Sequence, residues 1–236
     1  MDCSMRPLTF CAIAWVMNDP LWMTFPLLDE LPGFAHRFIL RHPTIPVDAE
    51  RAEVVESLWS WHREQAQEMG FQPDRLCIAE QVHGKDVAVV SEASAAPFPQ
   101  VDGIITDTPG LLIGIYGADC GAIYLADPVT GALGVLHSGK KGSEFGIVAK
   151  GLRLMHEHFG ACPENVRVQL GPCIRPPAYE VDFASQIRQS CLDEGVRPQH
   201  FSDCGICTST DLKRYYSYRM EKGRTGRMLA LLGRLA

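Results

Sequence analysis

Leu111-Leu-Ile-Gly-Ile-Tyr-Gly-Ala118, Gly121-Ala-Ile-Tyr-Leu-Ala126 and Ala132-Leu-Gly-Val-Leu-His137 are three apolar runs in close succession. Asp119-Cys120 joins the first pair, and Asp127-Pro-Val-Thr-Gly131 joins the second. Runs of this length, bounded by Gly, Pro and Asp, read as strands. Pro128 and Gly131 close the second pair as a hairpin. Working outward, strands are expected at Leu76–Gln81 and Asp86–Ser91, split by Gly84, and at Asn165–Leu170. Asp48 is expected to cap a helix reaching Gly70. Its buried face would be Val55, Leu58, Trp59, Ala66 and Met69, with Val54 and Trp61 at the edge. Ile147, Val148, Leu152, Met155 and Phe159 share one side of a helix that stops at Gly160. Further helices are expected over Asp182–Glu194 and Ser209–Arg219, the latter capped by Ser209. Strands clustered mid-chain, with helices between and after them, predict an α+β single domain of mixed sheets layered against helices. No internal repeat or low-complexity tract interrupts it.

Three short stretches carry chemistry: Gln81-Val82-His83-Gly84, Ala118-Asp119-Cys120 and His137-Ser138-Gly139-Lys140-Lys141-Gly142. Each puts a metal-grade side chain where a strand gives way to a loop. Singly they are weak, since most cysteines simply pack and most lone histidines are structural. Converging, two imidazoles and a thiolate would form a three-ligand zinc site with an open fourth position, the arrangement of a catalytic zinc. The His137 loop has two glycines and two lysines and runs toward a helix near Ser143, which suits an anion. A degenerate P-loop at Gly134–Lys140 fails, because Lys141 stands where Ser or Thr would hold magnesium. Asp119 would satisfy strand-end amides or steady a ligand imidazole. His156 and His158 lie two apart on a helix and face different ways.

These stretches belong to an ordered series. Asp102-Gly-Ile-Ile-Thr-Asp107 is followed by the Cys120 and His137 loops and Leu125-Ala-Asp-Pro128 between them. Leu170-Gly-Pro-Cys-Ile174, Tyr179-Glu-Val181 and Cys207-Thr208 come next. Ser217-Tyr-Arg219 and Thr225-Gly-Arg227 close the series. From about Phe34 to the C-terminus the chain resembles the YfiH laccase-domain family of zinc-dependent purine nucleoside phosphorylases, once labelled multicopper polyphenol oxidases. The resemblance implies an α/β/β/α layering, with His83, Cys120 and His137 as zinc ligands and catalytic residues. It implies phosphorolysis of adenosine, inosine, guanosine and methylthioadenosine, with adenosine deamination besides. Arg41 aligns with an arginine that the family carries after its first strand; it is either a phosphate or substrate contact alongside Lys140 and Lys141 or a member of a surface salt bridge. Two departures stand out. Lys140-Lys141 replaces the family's Trp-Arg, and Ala122 replaces a Pro. Lysine keeps a charge but loses the planar fork that grips an oxyanion in two places.

The formal charge of −6 argues against nucleic acid as a general partner. The segment from Asp211 runs the other way, with seven Lys or Arg against Asp211 and Glu221. Nine scattered cysteines fit a reducing cytosol rather than a disulfide framework. Cys204-Gly-Ile-Cys207 is a single CxxC, too little for a zinc ribbon. The eight histidines supply one His-x-His unit, His156-Glu-His158, so multicopper oxidation is not chemistry this sequence supports. Leu8–Met17 is too short to span a membrane. Residues 1–22 are expected to be an extension outside the resemblance, with 23–236 the catalytic domain. Two alternatives to the zinc enzyme remain at this stage. One is a metal-free cysteine hydrolase using Cys120 and His137, the other a non-catalytic metabolite-binding paralogue.

Overall fold

The structure, a computed structural model, describes residues 20–94 and 96–236. The expected extension of residues 1–22 lies largely outside them. Its last residues do not: Trp22 opens strand β1 (Trp22–Met23), which pairs with β2 (Phe34–Ile39), and Leu40 N donates to Leu21 O at 2.8 Å. Short helix α1 (Pro26–Asp29) bridges the two strands.

Two mixed sheets form the centre. The first has the order β1-β2-β11-β6-β3, where β3 is Leu76–Ile78, β6 is Leu112–Gly117 and β11 is Met228–Arg234. The second has the order β10-β9-β7-β8-β5-β4. Its members are β4 (Val87–Val89), β5 (Gly103–Thr106), β7 (Gly121–Ala126), β8 (Leu133–Ser138), β9 (Arg167–Leu170) and β10 (Phe201–Asp203). Phe38, Ile113 and Ile115 of the first sheet meet Ile104, Tyr124 and Val135 of the second in one core. Helix α2 (Arg51–Glu68) covers the outer face of the first sheet through Ala66 against Ile39, Leu112 and Leu229. Helices α4 (Ile147–Phe159) and α5 (Phe183–Asp193) cover the second sheet's outer face, over Ile123, Leu125 and Leu136. The layering is α/β/β/α, as the resemblance implies. Strands buried on both faces have no solvent side to mark with polar residues, which is why 111–137 reads as unbroken apolar runs.

Several expectations hold closely. The hairpin turns at Pro128–Gly131, with Gly131 N donating to Asp127 O at 2.8 Å. Helix α4 ends at a left-handed Gly160, and Asp182 caps α5 by accepting Ser185 N at 3.1 Å.

Others are corrected. Ser209–Arg219 forms turns, not a helix. The Asp119 carboxylate collects Thr208 Oγ1, Ser217 Oγ and Arg219 N, and such side-chain bonds compete with the helical ladder. Asp48 does not cap α2: its carboxylate is taken by Arg224, and the helix starts from Glu50 with no side-chain cap. The buried face of α2 is rotated, with His62 and Gln65 inside and Val55 and Trp59 only half-buried. Gln65 accepts Arg37 Nη1 at 2.9 Å, and the His62 ring meets the Tyr116 hydroxyl at 3.4 Å, so polar partners on the sheet draw these two inward. Strand β3 and strand β4 belong to different sheets, and the chain between them crosses from one to the other. Among the described residues, no helix is long and apolar enough to cross a membrane.

Candidate metal centre

His83 lies on that crossover, and the crossover is shaped by two side chains. Gln81 acts as an added strand residue beside β6: its Nε2 donates to Tyr116 O at 2.5 Å and its Oε1 accepts Tyr116 N at 2.8 Å. Asp102, fully buried, gathers the next turn. Its carboxylate accepts the backbone N–H groups of Val82, His83 and Gly84 at 3.2, 2.9 and 2.7 Å. The same carboxylate meets His137 Nδ1 at 2.9 Å. One acid therefore fixes both the loop that carries His83 and the ring of His137, leaving the His137 Nε2 edge for a ligand.

Cys120 and His137 are set by sheet register. In the β7–β8 pair, Gly121 faces Ser138 and Ala122 faces His137, so the residue before β7 lies beside the end of β8. The loop after His137 crosses directly over the thiol. A Cβ on Gly139 would sit 2.6 Å from Cys120 Sγ, so glycine alone lets the backbone pass. Ligand atoms of His83, Cys120 and His137 all lie within 4.8 Å of one another. The two imidazole rings are 4.9 Å apart and nearly perpendicular. His83 is exposed, Cys120 half-buried and His137 buried.

The electrostatics are those of a coupled pair. Burial pushes the Cys120 thiol up, but the charge and hydrogen bond of His137, with help from His83, bring it down to about 6. Burial pushes His137 down, and the Cys120 charge and the Asp102 bond outweigh it, raising it to about 9. Asp102 is also held below its ordinary value, since His137 and the backbone donors offset its burial.

The centre opens into a cavity of about 830 Å³. Of the five non-glycine residues with positive φ among the described residues, Gln81 (65°), His83 (61°), Asp119 (85°) and Lys222 (53°) line it, while Gln100 does not. Backbone held in this sparse region concentrates at functional sites. Lys140 and Lys141 line the cavity at the start of helix α3 (Lys140–Glu144). Arg41 is not among the lining residues. Its guanidinium pairs with Glu221 at 2.8 Å and lies 4.8 Å from the Tyr216 ring centre, which is the salt-bridge alternative. Cys173 is fully buried with its thiol held far up by burial, which leaves no nucleophile there.

Two nitrogens and a thiolate make the borderline-soft set that zinc accepts. A carboxylate holding the far nitrogen of a ligand histidine is the usual support of such a site. Among the described residues this is the one group of three or more such side chains able to hold an ion. Sequence reading quoted Asp102 only as part of a motif and missed its role. Its signal, an Asp opening a strand, carries no mark of the loop it will hold.

The family model described as "Multi-copper polyphenol oxidoreductase laccase" matches residues 50–190 and 181–234. A purine nucleoside phosphorylase of Deinococcus radiodurans is 34% identical over 190 residues, covering 70% of this chain and 72% of that one. The purine nucleoside phosphorylase YlmD of Geobacillus stearothermophilus is 29% identical over 226 residues, covering 80% and 81%. The crystal structure of YlmD superposes with a TM-score of 0.81 at 26% identity, over 93% of this chain and 98% of that one. The matched segments take in all three converging loops, and the chain belongs to this laccase-domain family, the YfiH family its motif series resembles.

Proposed function

We propose that the chain is a zinc-dependent purine nucleoside phosphorylase that also deaminates adenosine, with His83, Cys120 and His137 as ligands and catalytic residues. The observation that carries this is the meeting of those three side chains in a large, cation-lined cavity. The names of the relatives support the substrate class. A bound zinc would supply Lewis acidity and an open position for a polar group of the substrate. Asp102 keeps His137 in one tautomer and orientation. Lys140 and Lys141 would hold inorganic phosphate against the ribose, and Tyr179 and Tyr218, which line the cavity, offer ring faces to the purine. In phosphorolysis a phosphate oxygen bonds to C1′ as the bond to the purine breaks.

The test is chromatography of adenosine reactions with and without phosphate, alongside metal analysis. Adenine should appear only with phosphate and inosine without it, at about one zinc per chain. Ala at His83, Cys120 or His137 should remove both zinc and turnover. Full zinc content in all three variants would sink the ligand assignment.

A second reading has its own observation. Cys120, His137 and Asp102 form a nucleophile, base and orienting acid in order, the layout of a cysteine hydrolase needing no metal. Turnover that survives chelation and stops on alkylation of Cys120 would favour it.

A further inference from the structure

The cavity's charge runs against that of the chain. The protein carries −6 overall, yet Arg51, Lys140, Lys141, Arg219, Lys222 and Arg227 line the cavity, against Glu50 and Asp119. Asp119 is already engaged by Thr208, Ser217 and the Arg219 backbone. Arg219 is paired with Glu180. Elsewhere Arg37, Arg41 and Arg175 face Glu68, Glu221 and Asp203. Arg51 and Arg227 differ. Arg51 Nη2 donates to the Glu80 carbonyl at 2.9 Å, and Arg227 Nη1 donates to the carbonyls of Thr225 and Gly226, each at 2.9 Å. No carboxylate pairs with either among the described residues.

The two cations line one cavity. Burial, and next the charge of Arg51, press the Arg227 guanidinium below its ordinary value. A half-buried cation facing a second cation is disfavoured, and an anion bound by both offsets that cost. Guanidinium forks match phosphate oxygens two at a time. The lysines sit on a different element, α3, whereas Arg51 opens α2 and Arg227 precedes β11. A cavity of about 830 Å³ lies high in the usual range for small-molecule sites, roughly 300–1,000 Å³. It has room for two anionic groups at once.

We propose that Arg51 and Arg227 form a second anion subsite that takes a phosphate carried by the substrate itself, making the substrate class a purine nucleoside 5′-phosphate. Its turnover rests on the phosphorylase reading above; its binding does not. In the reaction an oxygen of hydrogen phosphate bonds to C1′. The electron pair of the C1′–N9 bond leaves with the purine, and the proton of the hydrogen phosphate passes to N9. The 5′-phosphate is untouched, so the products are free base and ribose 1,5-bisphosphate.

The experiment is calorimetric titration of the zinc-loaded full chain with inosine, inosine 5′-monophosphate and inorganic phosphate, each alone. The monophosphate should bind at least about tenfold more tightly than inosine. Arg51→Gln, and separately Arg227→Lys, which keeps charge but not the fork, should each cut that preference by about tenfold. Inorganic phosphate should weaken chiefly in the Lys140→Ala, Lys141→Ala double variant. Equal binding of inosine and its monophosphate overturns the inference. So does an Arg51→Gln protein that loses inorganic phosphate and keeps the monophosphate preference, since the pair would then serve the co-substrate. If the preference and its loss are seen but no base is released with phosphate, the subsite stands and the phosphorylase reading falls.

Discussion

Asp102 shows how one residue can organise a site without touching its ligand. Four donors from two segments end on its carboxylate, and two of the three candidate zinc ligands depend on them. Asp102→Asn swaps one acceptor oxygen for an N–H₂ that faces other donors. The fold should survive, while zinc affinity falls about 10–100-fold in competition with a chromogenic chelator. Unchanged affinity would show that the His137 orientation is set elsewhere. The Cys120–His137 pair makes a second prediction, for the metal-free protein. A thiol held down to about 6 is protonated below that pH and thiolate above it, facing a His137 that stays charged up to about 9. Alkylation of Cys120 should therefore switch on with a midpoint of about 6, and zinc should suppress it. A midpoint at the ordinary thiol value of about 8.5 would mean that His137 does not pair with Cys120 in solution.

At the scale of elements, the telling strand is β11, hydrogen-bonded to β2 on one side and β6 on the other. The last stretch of the chain thus fills the middle of a sheet. Its segment, Met228-Leu-Ala-Leu-Leu-Gly-Arg234, is short and follows a basic tract, and nothing local says which strands it will join. Leu231 is fully buried against α2's side of the sheet. Leu231→Ala should cost about 2–5 kcal/mol in urea unfolding. A loss below about 1 kcal/mol would be incompatible with a central β11. Ser209–Arg219 is the opposite case. Local signals favoured a helix there, and a distant carboxylate, Asp119, took the Ser217 hydroxyl and the Arg219 amide instead, along with the hydroxyl of Thr208 just before it. Helix α2 shows the same competition more mildly: its apolar period was readable, but His62 and Gln65 were drawn inside by partners on the sheet.

For the molecule as a whole, local composition determined the parts with strong short-range signals. Apolar runs bounded by Gly, Pro and Asp marked β6, β7 and β8, and alternation marked β9. Period and a glycine stop marked α4, α5 was expected over Asp182–Glu194, and the His83, Cys120 and His137 loops were singled out as strand-end groups of one chemistry. Those features depend on neighbours within a few residues, so the order of residues carries them. What only the tertiary structure decided depends on groups far apart in sequence. Trp22 belongs to a sheet, and Leu21 accepts Leu40 N beside it, although both precede the matched motifs. Arg41 turns to Glu221, across 180 residues, instead of facing the cavity. Asp102 reaches loops 18 to 35 residues away, and Arg51 and Arg227 come to line one cavity. A side chain's type is written in the sequence, but its partner is set by which sheet register and crossover bring two distant backbones together.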